Sequence, residues 1–215
     1  MSVVESLAMP AGYDVDAIRA QFPILTRSVN GHPLVYLDNA ASVQKPASVI
    51  EAEADVYRTA YANIHRGVHS LSQTATASFE AVRGKVRGLI NARSDREIVF
   101  TRGTTESINL VANSHARPRL RPGDEILVTG MEHHSNIVPW QLVCEATGAN
   151  LRVIPVTDSG EISLEAVEAA LTDRTSLLGI VHVSNVLGTV NPVAAVCALA
   201  RDRGVPVLVD AAQSV

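Results

Sequence analysis

From residue 97 onward the chain alternates between short apolar runs of strand character and longer stretches with helical spacing. The runs are Glu97–Thr101, Glu125–Thr129, Leu151–Val156, Leu177–Val183 and Val205–Val209. Helical patterns separate them at Thr105–His115, Ile137–Ala146, Leu164–Leu171 and Val193–Arg203. A strand followed by a helix of this length returns the chain parallel to where it began, so the alternation predicts an α/β fold. It is a mostly parallel sheet with helices on both faces. The run Val205–Val209 is apolar throughout and reads as a central strand buried on both sides. In such sheets ligands gather outside the carboxyl ends of the strands. Function should therefore sit in the residues that follow each strand.

The part before residue 97 is less regular. It predicts a short helix at Val15–Phe22, a loop carrying Asn30-Gly31 and a short strand at Leu34–Leu37. Pro46 suits the first turn of a helix reaching about Tyr61. A second helix spans Gln73–Ile90, with Phe79, Val82, Val86 and Leu89 on one face and Glu80, Arg83 and Arg87 on another. The expected division is an N-terminal helical segment, residues 1–35, and a large domain, residues 36–215. A content of 47% apolar and 19% charged residues, with a net charge of −4, allows a sizeable core and argues against nucleic acid as a partner. No apolar run approaches the roughly 20 residues a membrane span needs. The first twenty residues lack the basic and continuous apolar segments of a signal peptide. Cys144 and Cys197 have no metal-type spacing and sit in helical patterns, which predicts buried free thiols in a reducing, cytoplasmic setting.

Four strand ends carry chemistry. Arg102-Gly103-Thr104-Thr105-Glu106 opens a helix with two hydroxyls and free backbone donors, which is either a phosphate site or a threonine N-cap. Met131-Glu132-His133-His134-Ser135-Asn136 offers a histidine that can stack on a flat ring, move a proton or bind metal. His182-Val183-Ser184-Asn185 ends in an amide with both a donor and an acceptor. Asp210-Ala211-Ala212-Gln213 places a carboxylate at the end of a buried strand, where it requires a partner. A protonated pyridine nitrogen is one such partner; an arginine, or the N–H groups of the next turn, are others. His65 and His69 stand four apart and could join His133 and His134 in a metal site. However, Gly67 and Arg66 between them favour a loop, no acidic ligand accompanies them, and no metal is expected. No glycine-rich dinucleotide or P-loop motif is present, and no nucleophile elbow.

Taken in order, Leu37-Asp38-Asn39-Ala40-Ala41, Asn63-Ile64-His65-Arg66-Gly67-Val68-His69 and the four strand-end motifs resemble the class V aminotransferase family. More narrowly, they resemble its SUF-type (group II) cysteine desulfurases. The resemblance runs from about Val15 to the end of the chain. It implies fold type I of the pyridoxal-phosphate (PLP) enzymes, with residues 36–215 forming part of the large, PLP-binding domain. Thr104 and Thr105 would hold the cofactor phosphate, and His133 would stack on the ring and could act as acid or base. Asp210 would pair with the ring nitrogen. Gln213 and Asn185 would face the phenolic oxygen or the substrate carboxylate. Ala41, His65 and Arg66 would edge the substrate pocket. The implied reaction takes L-cysteine to L-alanine and leaves sulfur as an enzyme-bound persulfide. That sulfur passes to an acceptor protein for iron–sulfur cluster assembly, and the enzyme is implied to be a homodimer.

The family's Schiff-base lysine, its persulfide-forming cysteine and its substrate arginine lie beyond the counterpart of Asp210. Of 18 basic residues here only Lys45 and Lys85 are lysines, and neither falls at a strand end. The sequence therefore reads as an N-terminal portion, expected to be inactive alone. A selenocysteine lyase or another class V enzyme, and a non-catalytic PLP-binding fragment, share these residues as alternatives.

Overall fold

The computed structural model describes residues 12–215; the first eleven, with much of the segment read for a leader, lie outside the described residues. The chain divides into two compact units, one ending at Val99 and one covering Phe100–Val215, where the sequence suggests a division at residue 35.

The first unit is helical. Helix α1, Val15–Ala20, is capped by Asp14, whose carboxylate accepts the Ala17 N–H at 2.9 Å. Asn30 and Gly31 both have positive φ, 53° and 79°, and close a two-residue hairpin between β1, Ser28–Val29, and β2, His32–Pro33. The expected strand at Leu34–Leu37 does not form. The Leu34 N–H bonds the Arg27 carbonyl at 2.9 Å, but the segment joins no strand ladder among the described residues, and Leu37 is 90% exposed. Helix α2, Ala47–Asp55, begins after Pro46 and widens into a π-turn at Val56–Ala60. Helix α3, Ser70–Leu89, starts three residues earlier than its apolar periodicity suggests, because His69 caps it by accepting the Ser72 N–H.

The second unit contains the sheet. The strand expected at Glu97–Thr101, at the boundary of the units, does not form. Instead a 3₁₀ turn, Asp95–Glu97, leads into irregular chain. An apolar run becomes a strand only where a neighbouring strand takes its backbone bonds, and the Ile98 carbonyl is taken by the Arg83 guanidinium instead. Helix α4, Thr104–Val111, continues as a π-turn over Ala112–Ala116. Then come β3, Glu125–Thr129; α5, Val138–Thr147; β4, Asn150–Ile154; α6, Leu164–Ala170; β5, Thr175–Val181; α7, Val193–Asp202; and β6, Val207–Asp210. The four strands run parallel in the order β4-β3-β5-β6. Among the described residues β6 thus stands at the end of this order, beside β5, and not at the centre as expected. Val207 packs against one core cluster and Leu208 against the other, and Val209 stays 37% exposed.

Successive residues of β3 point to opposite faces, and each face meets its own helices. Leu127, with Leu178 and Ile180 of β5, packs on Val167 of α6 and on Val196 and Ala200 of α7. Ile126 and Val128, with Leu177, pack on Ile108, Ala112 and Ala116 and on Trp140, Val143 and Cys144 of α5. Helices therefore cover both faces. Between Glu125 and Ile126 the register against β5 shifts by one residue. Glu125 faces Thr175 and Ile126 faces Leu177, so Ser176 is an extra residue in β5.

Candidate functional site

The connection from β3 leads to β4 on one side, while β5 lies on the other. The crevice between β3 and β5 at their carboxyl ends is thus the topological switch point of the sheet. A buried polar network fills it. Glu132, 8% exposed, accepts the Val181 N–H at 2.8 Å and the Thr129 hydroxyl on Oε1, and the Asn136 amide at 2.7 Å on Oε2. Asn136 in turn accepts the indole N–H of Trp140 at 2.9 Å. Both Asn136 and Trp140 are fully buried. Gly179 of β5 makes room for this: a Cβ there would lie 3.3 Å from both side-chain polar atoms of Asn136. Burial pushes the Glu132 carboxyl above the ordinary carboxylate range, against the pull of its three hydrogen bonds, and the nearby Asp210 charge pushes it further. Sequence reasoning assigns Glu132 no role. The signal available is a carboxylate three residues past an apolar strand, followed by Asn at i+4 and Trp at i+8, a helix-like spacing.

The expected site residues of the second unit lie at the end of β6, on the segments that follow β3, β5 and β6, and at the start of α4. Asp210 ends β6 beside Val181 and is 4% exposed. Its Oδ1 accepts the Ala212 N–H at 3.0 Å, and no basic side chain pairs with it among the described residues. It therefore caps the following turn with one oxygen, without the arginine that a structural role would most simply supply. His182 N donates to the Asp210 carbonyl at 2.8 Å, fastening this end of β6 to β5. Gln213 is half-buried three residues on.

His133 is exposed and precedes a 3₁₀ turn, His134–Asn136. Its Nδ1 accepts the Ser135 N–H at 3.2 Å and lies 2.8 Å from the Ser135 hydroxyl. That bond assigns the proton of the neutral ring to Nε2. Helix α4 packs against the same turn. The N-cap of α4 is Gly103, at φ 155°, which has no side chain to satisfy the first-turn N–H groups. Thr104 and Thr105 are the first two helical residues, so neither is the N-cap, and neither hydroxyl is hydrogen-bonded among the described residues. They line an open hollow with Arg102, Gly103 and Glu106. Glu106 turns aside to take the Arg102 N–H at 2.6 Å, which holds its carboxyl below the usual range.

Asn185 sits in the loop after β5. Ser184, 3% exposed, accepts the N–H groups of Val186 and Leu187, while the half-buried Asn185 amide makes no hydrogen bond among the described residues. Ala41, His65 and Arg66 belong to the first unit. Ala41 closes a turn on the Asp38 carbonyl at 3.2 Å. His65 has φ 63°, pairs with Glu80 at 3.3 Å and meets the Phe79 ring edge-on. Arg66 is exposed. The loop holding them is tight at Gly67, where a Cβ would collide with the Ser72 hydroxyl. Cys144 is buried, which pushes its thiol pKa up, and Cys197 is half-buried; both are free. Lys45 and Lys85 are exposed in the first unit. No helix among the described residues is long and apolar enough to cross a membrane.

The second unit thus carries a helix N-terminus with unsatisfied first-turn N–H groups, a buried strand-end carboxylate without a basic partner among the described residues, the exposed imidazole of His133 and the Asn185 amide. Known proteins carry the same span. The chain's residues 35–215 match the family described as aminotransferase class-V. A cysteine desulfurase of Cronobacter sakazakii is 56% identical over 203 residues, 94% of this chain and 50% of that protein. The crystal structure of the cysteine desulfurase CsdA from Escherichia coli superposes with a TM-score of 0.81 at 42% identity, covering 94% of this chain and 49% of that one. The apo cysteine desulfurase of Thermococcus onnurineus NA1 gives 0.87 at 37%, covering 96% and 49%. The chain thus spans about half the length of the curated relatives it matches, and over that span it belongs to the class V aminotransferase family.

Proposed function

We propose that this chain provides the cofactor-holding part of a PLP-dependent cysteine desulfurase of the SUF-type group. The observation that carries the proposal is Asp210, a buried strand-end carboxylate without a basic partner among the described residues, within a span that is 56% identical to a cysteine desulfurase of Cronobacter sakazakii. The residues fit a phosphate-bearing pyridine. The unsatisfied first turn of α4, with Thr104 and Thr105, suits the dianionic phosphate. The Asp210 carboxylate suits a protonated ring nitrogen, and the free face of His133 suits the flat of a ring. When bound, PLP supplies an electron sink for breaking bonds at the substrate Cα.

This chain's own residues bind and orient. Asp210 keeps a proton on the ring nitrogen by charge, since an anion within about 4–6 Å favours the protonated form. His133, held through Nδ1, presents Nε2–H and one face. Asn185 and Gln213 offer amides to a carboxylate or a phenolic oxygen. Ala41, His65 and Arg66 belong, in this proposal, to the rim of the substrate pocket. The substrate is L-cysteine, the products L-alanine and a persulfide that passes to an acceptor protein for iron–sulfur assembly. The working enzyme is a cytoplasmic homodimer. The Schiff-base lysine and persulfide cysteine are assigned to sequence other than these 215 residues.

Titrating the purified chain with PLP, reducing with borohydride and measuring intact mass tests this. Saturable binding that Asp210→Ala abolishes, with no covalent gain, is the expected result. Absence of binding by the unsubstituted chain would overturn the cofactor assignment. A reduced adduct on Lys45 or Lys85 would overturn the assignment of the lysine.

A further inference from the structure

The hydrogen bonds around Glu132 have a fixed direction. Trp140 Nε1 is only a donor, so Asn136 must present its oxygen to it and its amide N–H to Glu132. The Val181 N–H is also only a donor. Glu132 must therefore accept with both oxygens, and Thr129 is the one neighbour able to reverse its role. No side chain but a carboxylate, ionised or carrying one proton toward Thr129, satisfies all of these at once.

The same bonds run through the proposed ring site. Glu132 is the residue before His133. Its Oε2 holds Asn136, in the turn whose Ser135 fixes the His133 imidazole. Its Oε1 holds Val181, the β5 residue that pairs with Asp210 and precedes His182, whose N–H is bonded to the Asp210 carbonyl. One carboxylate thus joins the segment carrying the imidazole to the strand carrying the aspartate. We infer that Glu132 is a positioning residue for the ring site, setting where His133 and Asp210 stand relative to each other. The inference rests on the PLP reading above.

The test compares three forms of the full chain: unsubstituted, Glu132→Gln, and Glu132→Gln with Asn136→Asp. Glutamine has the shape of glutamate but one acceptor oxygen, so in either orientation its NH₂ faces the Asn136 or the Val181 donor. The double substitution restores every bond. The introduced glutamine would donate its amide N–H to the introduced aspartate and accept the Val181 N–H on its oxygen. The aspartate carboxylate would still accept the indole. Three signals are read well below the melting temperature: PLP affinity, the circular dichroism induced in the bound cofactor, and the emission of Trp140, the single tryptophan of the chain.

The expected result for Glu132→Gln is binding about tenfold weaker and a reduced induced signal per bound PLP, since sub-ångström misplacement of binding groups is costly. Both should recover, with the Trp140 emission, in the double variant. Unchanged affinity and induced signal in a folded Glu132→Gln chain would overturn the inference. So would a double variant that regains wild-type melting and emission but not the cofactor signals, because the role would then be structural alone. If Glu132→Gln does not fold, the double variant alone decides by the same two signals. Failure of the unsubstituted chain to bind PLP is a different result, which removes the PLP reading and this inference with it.

Discussion

Replacing Asn136 by alanine should be among the most damaging single changes in this chain. It removes the acceptor of a fully buried indole N–H and a donor to a buried carboxylate in one step. A buried donor left unpaired costs about 1–3 kcal/mol, and a lost bond to a charged group about 1.5–3 kcal/mol. Allowing for partial relaxation, the loss is about 3–5 kcal/mol, a large share of the roughly 5–15 kcal/mol that holds a domain together. With an m-value of about 2 kcal/mol per molar urea, the midpoint should fall by about 1.5–2.5 M. Urea unfolding followed by far-ultraviolet circular dichroism measures this. The argument also specifies a coupling. Trp140→Phe removes the orphaned donor, so the double variant Asn136→Ala/Trp140→Phe should be less destabilised than the sum of its singles by about 1–2 kcal/mol. A loss under about 0.5 kcal/mol for Asn136→Ala, or strict additivity of the pair, would refute the reasoning.

Gly179→Ala pushes a methyl against Asn136 atoms that the network holds in place, so it should cost about 1–3 kcal/mol by overpacking, less the few tenths regained from a stiffer unfolded chain, in the same unfolding assay. Glu132, held above its ordinary value of 4.5 in the fold, binds a proton that the unfolded chain releases first as pH rises. Its contribution to stability is therefore full below 4.5 and declines as pH rises through the folded value. The stability difference between the wild type and Glu132→Gln should shrink accordingly between acid and neutral pH. Glu125 works in the opposite sense. Burial raises it, but bonds from Thr172 and Arg152 and the charges of Arg152 and Arg174 outweigh burial and hold it below 4.5. Its contribution is present above 4.5 and lost as pH falls through the lowered value, so Glu125→Gln should flatten the acid limb of the melting profile. Cys144, buried and with its thiol raised, should react with a thiol reagent more slowly than the half-buried Cys197 in the native chain, a difference that denaturant erases.

The second unit is legible because each of its elements carries its own periodicity. Strand β3 falls on its expected residues, and α4 to α7 lie within a residue or two once the π-turn after Val111 is counted with α4. The elements that sequence misplaces are those that depend on neighbours. The run Glu97–Thr101 has the composition of a strand, and Val205–Val209 that of a central one, but pairing is a property of what lies alongside and leaves no local mark. The hairpin at Asn30-Gly31 looks like a loop in sequence because two-residue strands are too short to show alternation. At the site, residues that end strands can be found from the alternation alone. Glu132 escapes because its meaning lies in Asn136, Trp140 and a backbone N–H 49 residues away. Only the first two are visible as a helical spacing.

The extra residue at Ser176 makes the β5 region unequal in its tolerance of length changes. Deleting one residue there can draw the slack out of the bulge. The pairs Ile126–Leu177 to Val128–Gly179 then keep their phase, and the loss is confined to the Thr172–Thr175 turn. One residue inserted just after Leu177 has no such slack to use. It would exchange the two faces of the strand, turning Leu178 and Ile180 toward α4 and α5 and taking Gly179 from under Asn136. Natural insertions and deletions among relatives should therefore collect on the amino-terminal side of Leu177 and be purged between Leu177 and Val181. Loop grafts or circular permutations of this chain have their safe boundary at the same point.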